Sequence, residues 1–380
     1  MPVFAGFALQ FILVGRYLAP KLHRFAHAHT LGDVVEAHFD RHAKRLIGVA
    51  SVLLCTGLAA VMVKVGASSL HALLGWPEWA GMLLIAVLGA LSSFTGGLSS
   101  VIASEAIQFS VKTAVVAVMV LLLVRHVDLG AVAAIGVDQA RAKASSLGAA
   151  NVFGLFVAFA LGELLIPPYA NRALAAKSGS SSGAVFVWTG LFSVVWFLLI
   201  CILGIAATTM GLGGDADMSL IQVGHKVLPA GGVGLLGAVI LAIVLSSYTS
   251  VLNAGAASFA ADAWIAEPAA RSLVARASTV VIALLATVIS LWSPSIVDGL
   301  LLAYSFWVPV AVAPIVFAAC GWRVPRSAGA ASMMAGFITA ALVSRMQWFE
   351  GAATVLGLGA SVAVLVVARA VLINGEKQYG

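Results

Sequence analysis

Within the apolar stretch Leu241 to Trp264, "LAIVLSSYTSVLNAGAASFAADAW", the residues Ser246, Ser247, Thr249 and Ser250 fall inside five consecutive positions. Lipid offers no hydrogen bonds, so each hydroxyl in a membrane-crossing helix needs a carbonyl, another helix or a bound ion. A helix turns once in about 3.6 residues, which sets the carbonyl of Ile243 beside the side chains of Ser246 and Ser247. Three oxygens then converge on one face. A carbonyl keeps a second lone pair after its helical bond, and such hard donors suit a small hard cation such as Na⁺. The same serines could instead bond back to their own helix or permit close helix packing.

A second candidate lies in "FVAFALGELLIPPYANR", where Gly162 and the pair Pro167-Pro168 weaken helical hydrogen bonding around Glu163. A carboxylate at membrane depth is costly and marks a functional position by default. Lys64, inside "AAVMVKVGASSL", is its obvious deep cationic counterpart. The pair could be structural, a clamp for a polar or zwitterionic solute, or a proton-linked element.

The elements that must hold these residues follow from composition. Of the 380 residues 62% are hydrophobic and 9% charged, against about 25% charged in soluble domains. This describes an all-α polytopic membrane protein. With about 20 apolar residues per crossing, eleven spans are expected, and an odd count puts the termini on opposite sides. Of the 21 Lys and Arg, fourteen fall on one side and five on the other, with Lys64 and Lys112 inside spans. The positive-inside bias therefore places the N-terminus outside and the C-terminus in the cytoplasm of a cell whose cytoplasmic membrane holds the chain. The net charge of +6 reflects these loops rather than a nucleic-acid partner. Cys55, Cys201 and Cys320 read as small core residues with no disulfide framework.

Between the first two spans, residues 22–45 read as a cytosolic amphipathic helix, with a capping box at Thr30 and Asp33 as its start signal. His38 and His42 lie one turn apart there. A metal site is conceivable, but a solvated face explains them as well. An intramembrane serine hydrolase would need a base at the depth of the serines, and the candidate segments offer none, so no enzyme is expected. Residues 126–150 read as an external connector.

Three blocks carry a family resemblance. "LPAGGVGLLGAVILAIVLSSYTSVLNAGAASFAADAW" (Leu228 to Trp264), "GGLSSVIASEAIQ" (Gly96 to Gln108) and "PPYANRALAAKS" (Pro167 to Ser178) resemble, in order and spacing, motifs of the sodium:solute symporter family. The resemblance implies a LeuT-like inverted-repeat helix bundle, with discontinuous helices and with solute and Na⁺ sites between the repeats. It implies that Ile243, Ser246 and Ser247 form half of a sodium site. Glu105 stands where the family usually has Asp, near the inner mouth on the cation exit path, although a helix N-terminal acid favoured by the macrodipole explains it equally. By offset from Arg172, Phe159 and Gly162 fall at the solute pocket beside Glu163 and Lys64, and Tyr304 and Phe306 come from a helix that borders it. Asp262 ends its helix and could be structural.

On this reading, residues 1–125 hold four helices of the first repeat, 151–319 a complete five-helix second repeat, and 320–380 two further helices and a short tail. The first repeat is one helix short. About two further helices of a longer native chain are expected before Met1, one of them donating carbonyls to the same sodium. The expected activity is Na⁺-coupled symport of a small polar solute. A proton-coupled transporter, or a truncated, non-transporting sensor, remains as an alternative.

Overall fold

The computed structural model describes residues 2–379 apart from 26, 96–97, 213–217, 230, 293–294, 347 and 350. The described residues form helices and their connections. In chain order the helices are α1 (Pro2–Leu13), α2 (Ala19–Leu22), α3 (Leu31–His38), α4 (Arg41–Leu74), α5 (Glu78–Thr95), α6 (Leu98–Leu123), α7 (Leu129–Leu161) and α8 (Pro167–Leu174). They continue with α9 (Gly179–Thr209), α10 (Ser219–Val227), α11 (Gly232–Ser258), α12 (Arg271–Trp292), α13 (Ile296–Trp307), α14 (Ala313–Cys320), α15 (Ala328–Ser344) and α16 (Ala352–Tyr379). Wider π turns join α1 to α2 (Val14–Leu18), extend α11 (Phe259–Ala263) and join α13 to α14 (Val308–Val312).

Nine of these segments, among the described residues, are long and apolar enough to cross a membrane, and the shorter helices Glu78–Phe94 and Ala328–Ser344 are also apolar. Their outward faces carry bare apolar side chains such as Leu121, Leu273 and Trp292, which only a lipid environment leaves without cost. Inward, the largest wholly buried side chains are Trp307, Tyr248 and Tyr304, so aromatic residues of α11 and α13 fill the centre.

Local sequence explains the helix ends. Ser178 caps α9 through the amide of Ser181, Asp40 caps α4 through that of Ala43, and Gly75 ends α4 with φ +70°, a conformation open to glycine. The amphipathic helix expected over 22–45 is shorter than that: it is the eight-residue α3, started by the Thr30–Asp33 capping box, and Arg41 already belongs to α4. It stops at Phe39 because Asp40 begins the next helix. The stretch 126–150, read as a connector, is helical from Leu129, with a single non-helical residue at Gly148 (φ 76°, ψ 157°).

Pro309 lies inside the π turn between α13 and α14, where its ring removes one helical hydrogen bond. The room is used by neighbours. Cβ atoms at Gly336 of α15 and Gly357 of α16 would fall 2.1 and 2.8 Å from Pro309, so these glycines let three helices meet at one point.

Candidate functional site

Between α7 and α8 the chain leaves the helix at Gly162 and resumes it at Pro167, the first helical residue after Ile166. Leu165, fully buried, takes φ +50°, a strained setting for a branched residue that the surrounding packing must enforce. Gly162 is required there: a Cβ would fall 2.5 Å from the Tyr304 ring and 2.4 Å from the Ala158 carbonyl. The interrupted helix expected from Gly162 and Pro167-Pro168 is thus present.

Glu163 occupies the break. Tyr304 Oη donates to its Oε1 at 2.7 Å and Tyr169 Oη to its Oε2 at 3.0 Å, while Gln10 Oε1 accepts from its amide at 3.2 Å. Phe159 stands edge-on to Tyr304 with centroids 5.6 Å apart. The carboxylate therefore has two neutral donors and, among the described residues, no cation within ion-pair reach. The side-chain nitrogens of Gln10 and of Trp307, one turn beyond Tyr304, are buried donors without a protein partner among those residues.

The expected Lys64 to Glu163 pair does not form. Lys64 Nζ lies 2.9 Å from Glu78 Oε2 at the start of α5, because its long side chain reaches toward the turn that joins α4 to α5 instead of into the centre. Phe306 also departs from expectation: it meets Phe337 of α15, centroids 6.0 Å apart, two positions along α13 from Tyr304 and on another face. Lys64 and Phe306 are not gathered at the break, whereas Phe159, Gly162, Glu163 and Tyr304 are.

On α11, Ser246 Oγ donates to the Ile243 carbonyl at 3.0 Å, so these oxygens converge as the spacing predicts. Ile243, Ser246 and Ser247 are all half-buried. One turn on, Ser250 Oγ accepts from Arg172 Nη2 at 3.0 Å, and the same nitrogen donates to Glu105 Oε1 at 2.7 Å. A carboxylate from α6, a guanidinium from α8 and a hydroxyl from α11 thereby form one cluster. The second deep lysine, Lys112, lies over the rings of Phe109 and Trp196 at 5.5 and 5.4 Å, a cation–π setting.

Asp262, in the π turn that ends α11, is fully buried and accepts from Thr30 Oγ1 at 2.7 Å. It sits against the first turn of α3. That turn is also tied to α4, for Lys44 Nζ bonds Asp33 Oδ1 at 2.8 Å and Glu36 Oε2 at 2.7 Å. Burial raises the Asp33 pKa, but Lys44 and the amides of His29 and Thr30 bind the charged form and hold it below its ordinary 3.8. His38 docks against the Trp322 carbonyl at 3.0 Å, and among the described residues no three His, Cys, Asp or Glu gather as a metal site.

Sequence reasoning passed over Gln10 and Tyr169, and it read Thr30 only as a helix cap, without its bond to Asp262. Gln10 had a readable signal, since it is the lone amide in the apolar run Pro2 to Val14 and an amide there must find a partner. Tyr169 stands in the quoted "PPYANR", but its hydroxyl points to Glu163 only through the fold of the break.

The fold and the site define an integral-membrane helix bundle arranged around an interrupted helix, the build of a secondary transporter. The sodium:solute symporter family matches residues 3–336, and the chain belongs to that family. It is a multi-pass membrane protein whose family couples solute movement to sodium. No protein of curated function matches the chain. Among solved structures, one described as the substrate-bound outward-open state of a Na⁺-coupled sialic acid symporter superposes with TM-score 0.78 at 16% identity, over 98% of this chain and 84% of that one. At that identity the likeness establishes the fold, which is the LeuT-like bundle read from the sequence.

Proposed function

We propose that this chain carries a small polar solute, bearing a cationic or strongly hydrogen-donating group, by sodium-driven alternating access across the cytoplasmic membrane. The observation that carries the reading is Glu163, held at the break of α7 and α8 by two tyrosine hydroxyls and, among the described residues, without a cation in ion-pair reach. A solute ammonium or hydroxyl would complete that set, with Phe159 packing against its apolar part. Sodium would be held by the Ile243 carbonyl and the hydroxyls of Ser246 and Ser247, and Glu105, tied to Arg172, would receive it on the inner side. The charge asymmetry supports an external N-terminus and a cytoplasmic C-terminus. Residues 1–125 and 151–319 would then act as the two repeats that move against each other.

The test is a panel of cationic, zwitterionic, neutral and anionic solutes, scored by sodium-dependent thermal stabilisation and by uptake into vesicles. Glu163→Gln keeps the acceptor and removes the charge, so cationic and zwitterionic solutes should lose about tenfold or more in affinity, the worth of a charge-assisted hydrogen bond. A preference for anions, or an unchanged affinity in Glu163→Gln, would refute the assignment.

A further inference from the structure

A groove of about 640 Å³ opens between the first span and α9, lined by Arg16, His23 and Arg24 on one wall and by Gly179, Ser180 and Ala184 on the other. It lies where the apolar run Val3–Leu22 ends and where the apolar run Gly179–Thr209 begins. Both boundaries place it at the membrane–water interface. We propose that this groove binds the phosphodiester headgroup of an anionic phospholipid.

The walls meet closely enough to make a fixed floor. A Cβ at Gly15 would fall 2.6 Å from the Gly183 carbonyl, and one at Gly183 would fall 2.6 Å from the Gly15 carbonyl, so two glycines let the helices touch. Arg16 is carried by the π turn Val14–Leu18, a local widening of the helix that is frequent at functional positions. The turn breaks the regular helical register just where the arginine is presented.

Charge decides the ligand class. Arg16, His23 and Arg24 are exposed, and among the described residues neither arginine is paired with a carboxylate. No Asp or Glu occurs in residues 1–32 or 164–214, so both segments that build the groove are free of acids. The opposite wall is the start of α9, whose Ser181 amide is taken by the Ser178 cap, and the dipole at that end of the helix favours an anion. Two guanidiniums in reach of one concavity match the oxygens of a phosphodiester, which they can bind in pairs.

Depth selects a lipid over a soluble anion. Tyr17, 57% exposed, and Trp188, 70% exposed, flank the groove residues Arg16 and Val187, and aromatic side chains of this kind settle at headgroup level. Below them the faces of both helices are apolar and open, which suits acyl chains descending from a headgroup held above. Basic pockets between spanning helices, on the side where Lys and Arg collect, are recognised sites for anionic headgroups.

The experiment uses the purified full chain in detergent with added phosphatidylglycerol, phosphatidylcholine or inorganic phosphate. Bound lipid is counted by native mass spectrometry and the unfolding midpoint is recorded alongside. Phosphatidylglycerol should bind and raise the midpoint, while phosphatidylcholine and inorganic phosphate at the same concentration should not. Arg16→Gln and Arg24→Gln should each weaken phosphatidylglycerol binding about fivefold, and about thirtyfold together, at the usual worth of a basic residue near an anionic surface. Ala184→Glu, on an exposed position, supplies a variant that spares the core and should abolish the same binding by charge reversal. Equal stabilisation by inorganic phosphate would assign the groove to a soluble anion and overturn the lipid proposal. So would phosphatidylglycerol binding that survives both the double substitution and Ala184→Glu.

Discussion

Gly32→Ala should destabilise the protein by about 3 kcal/mol, and the loss should vanish when Asp262 is also replaced. A methyl at Gly32 would lie 2.2 Å from both Cγ and Oδ1 of Asp262, an overlap that no rotamer change relieves because alanine has none. Asp262 has little room to retreat, since it is fully buried and packed closely against Gly48 of α4. The first turn of α3 must therefore withdraw by more than an ångström, which carries the Thr30 to Asp262 contact from 2.7 Å beyond hydrogen-bond range. A hydrogen bond to a charged group is worth about 1.5–3 kcal/mol, and a buried carboxylate left without it adds a desolvation cost. In an Asp262→Ala background the obstruction is gone, and alanine in the first turn of a helix is better than glycine by up to about 1 kcal/mol. There Gly32→Ala should be neutral or stabilising. The assay is a double-mutant cycle by denaturant titration in detergent, with limited trypsin digestion reporting cleavage after Arg24 and Arg41, the basic residues that flank α3, as α3 loosens. Equal destabilisation in both backgrounds would show that the two sites do not interact and would refute the reasoning.

Ser246→Ala with Ser247→Ala should abolish sodium-dependent stabilisation while leaving insertion and folding intact, because an alanine helix suits lipid and only the ion loses ligands; a sodium response equal to wild type would remove Ile243, Ser246 and Ser247 from the ion's path. Asp33→Asn should destabilise the chain at neutral pH and much less in acid. The sign follows from a folded pKa held below 3.8: the carboxylate contributes its stability above the unfolded pKa, and that contribution is lost as the pH falls through the folded one. Unfolding midpoints of both proteins against pH check it, and parallel curves would contradict it.

The parts of this fold that were legible in the sequence are those decided by a few neighbouring residues. Gly162 and the Pro167-Pro168 pair announce the break because backbone chemistry acts locally, and Thr30 with Asp33 announces α3 for the same reason. The convergence of Ile243 and Ser246 needs only the helical period. What escaped was decided at long range. Charge type alone suggested that Lys64 would seek Glu163, yet Glu78, fourteen positions on and across a tight turn, was already within its reach. The partners Thr30 and Asp262 are 232 positions apart, and the π turn Phe259–Ala263 shifts Asp262 off the regular helical register that spacing assumes. Connectors suffer similarly: the alanine-rich stretch after Leu129 has high helix propensity, but its charges drew attention to solvent instead.

The geometry of α8 bears on how solute and sodium could be linked under the proposed function. Glu163 meets Tyr169 inside this helix at 3.0 Å, and Arg172, one turn further, holds Ser250 at 3.0 Å. Ser250 in turn lies one turn from Ser246 and Ser247 on α11. An eight-residue helix spans about 12 Å and moves as a unit, so a solute that draws Glu163 or Tyr169 displaces Arg172 as well. Arg172 then has two places to deliver that displacement, the hydroxyl on the ion's helix and the carboxylate of Glu105. Coupling requires that each ligand favour one arrangement of a shared element, and it is then reciprocal by thermodynamic necessity. A helix with a solute-facing contact at one end and an ion-facing contact at the other meets that requirement, whereas Ser246, bonded back to Ile243, and Ser247 beside it could by themselves bind sodium without any consequence for the solute.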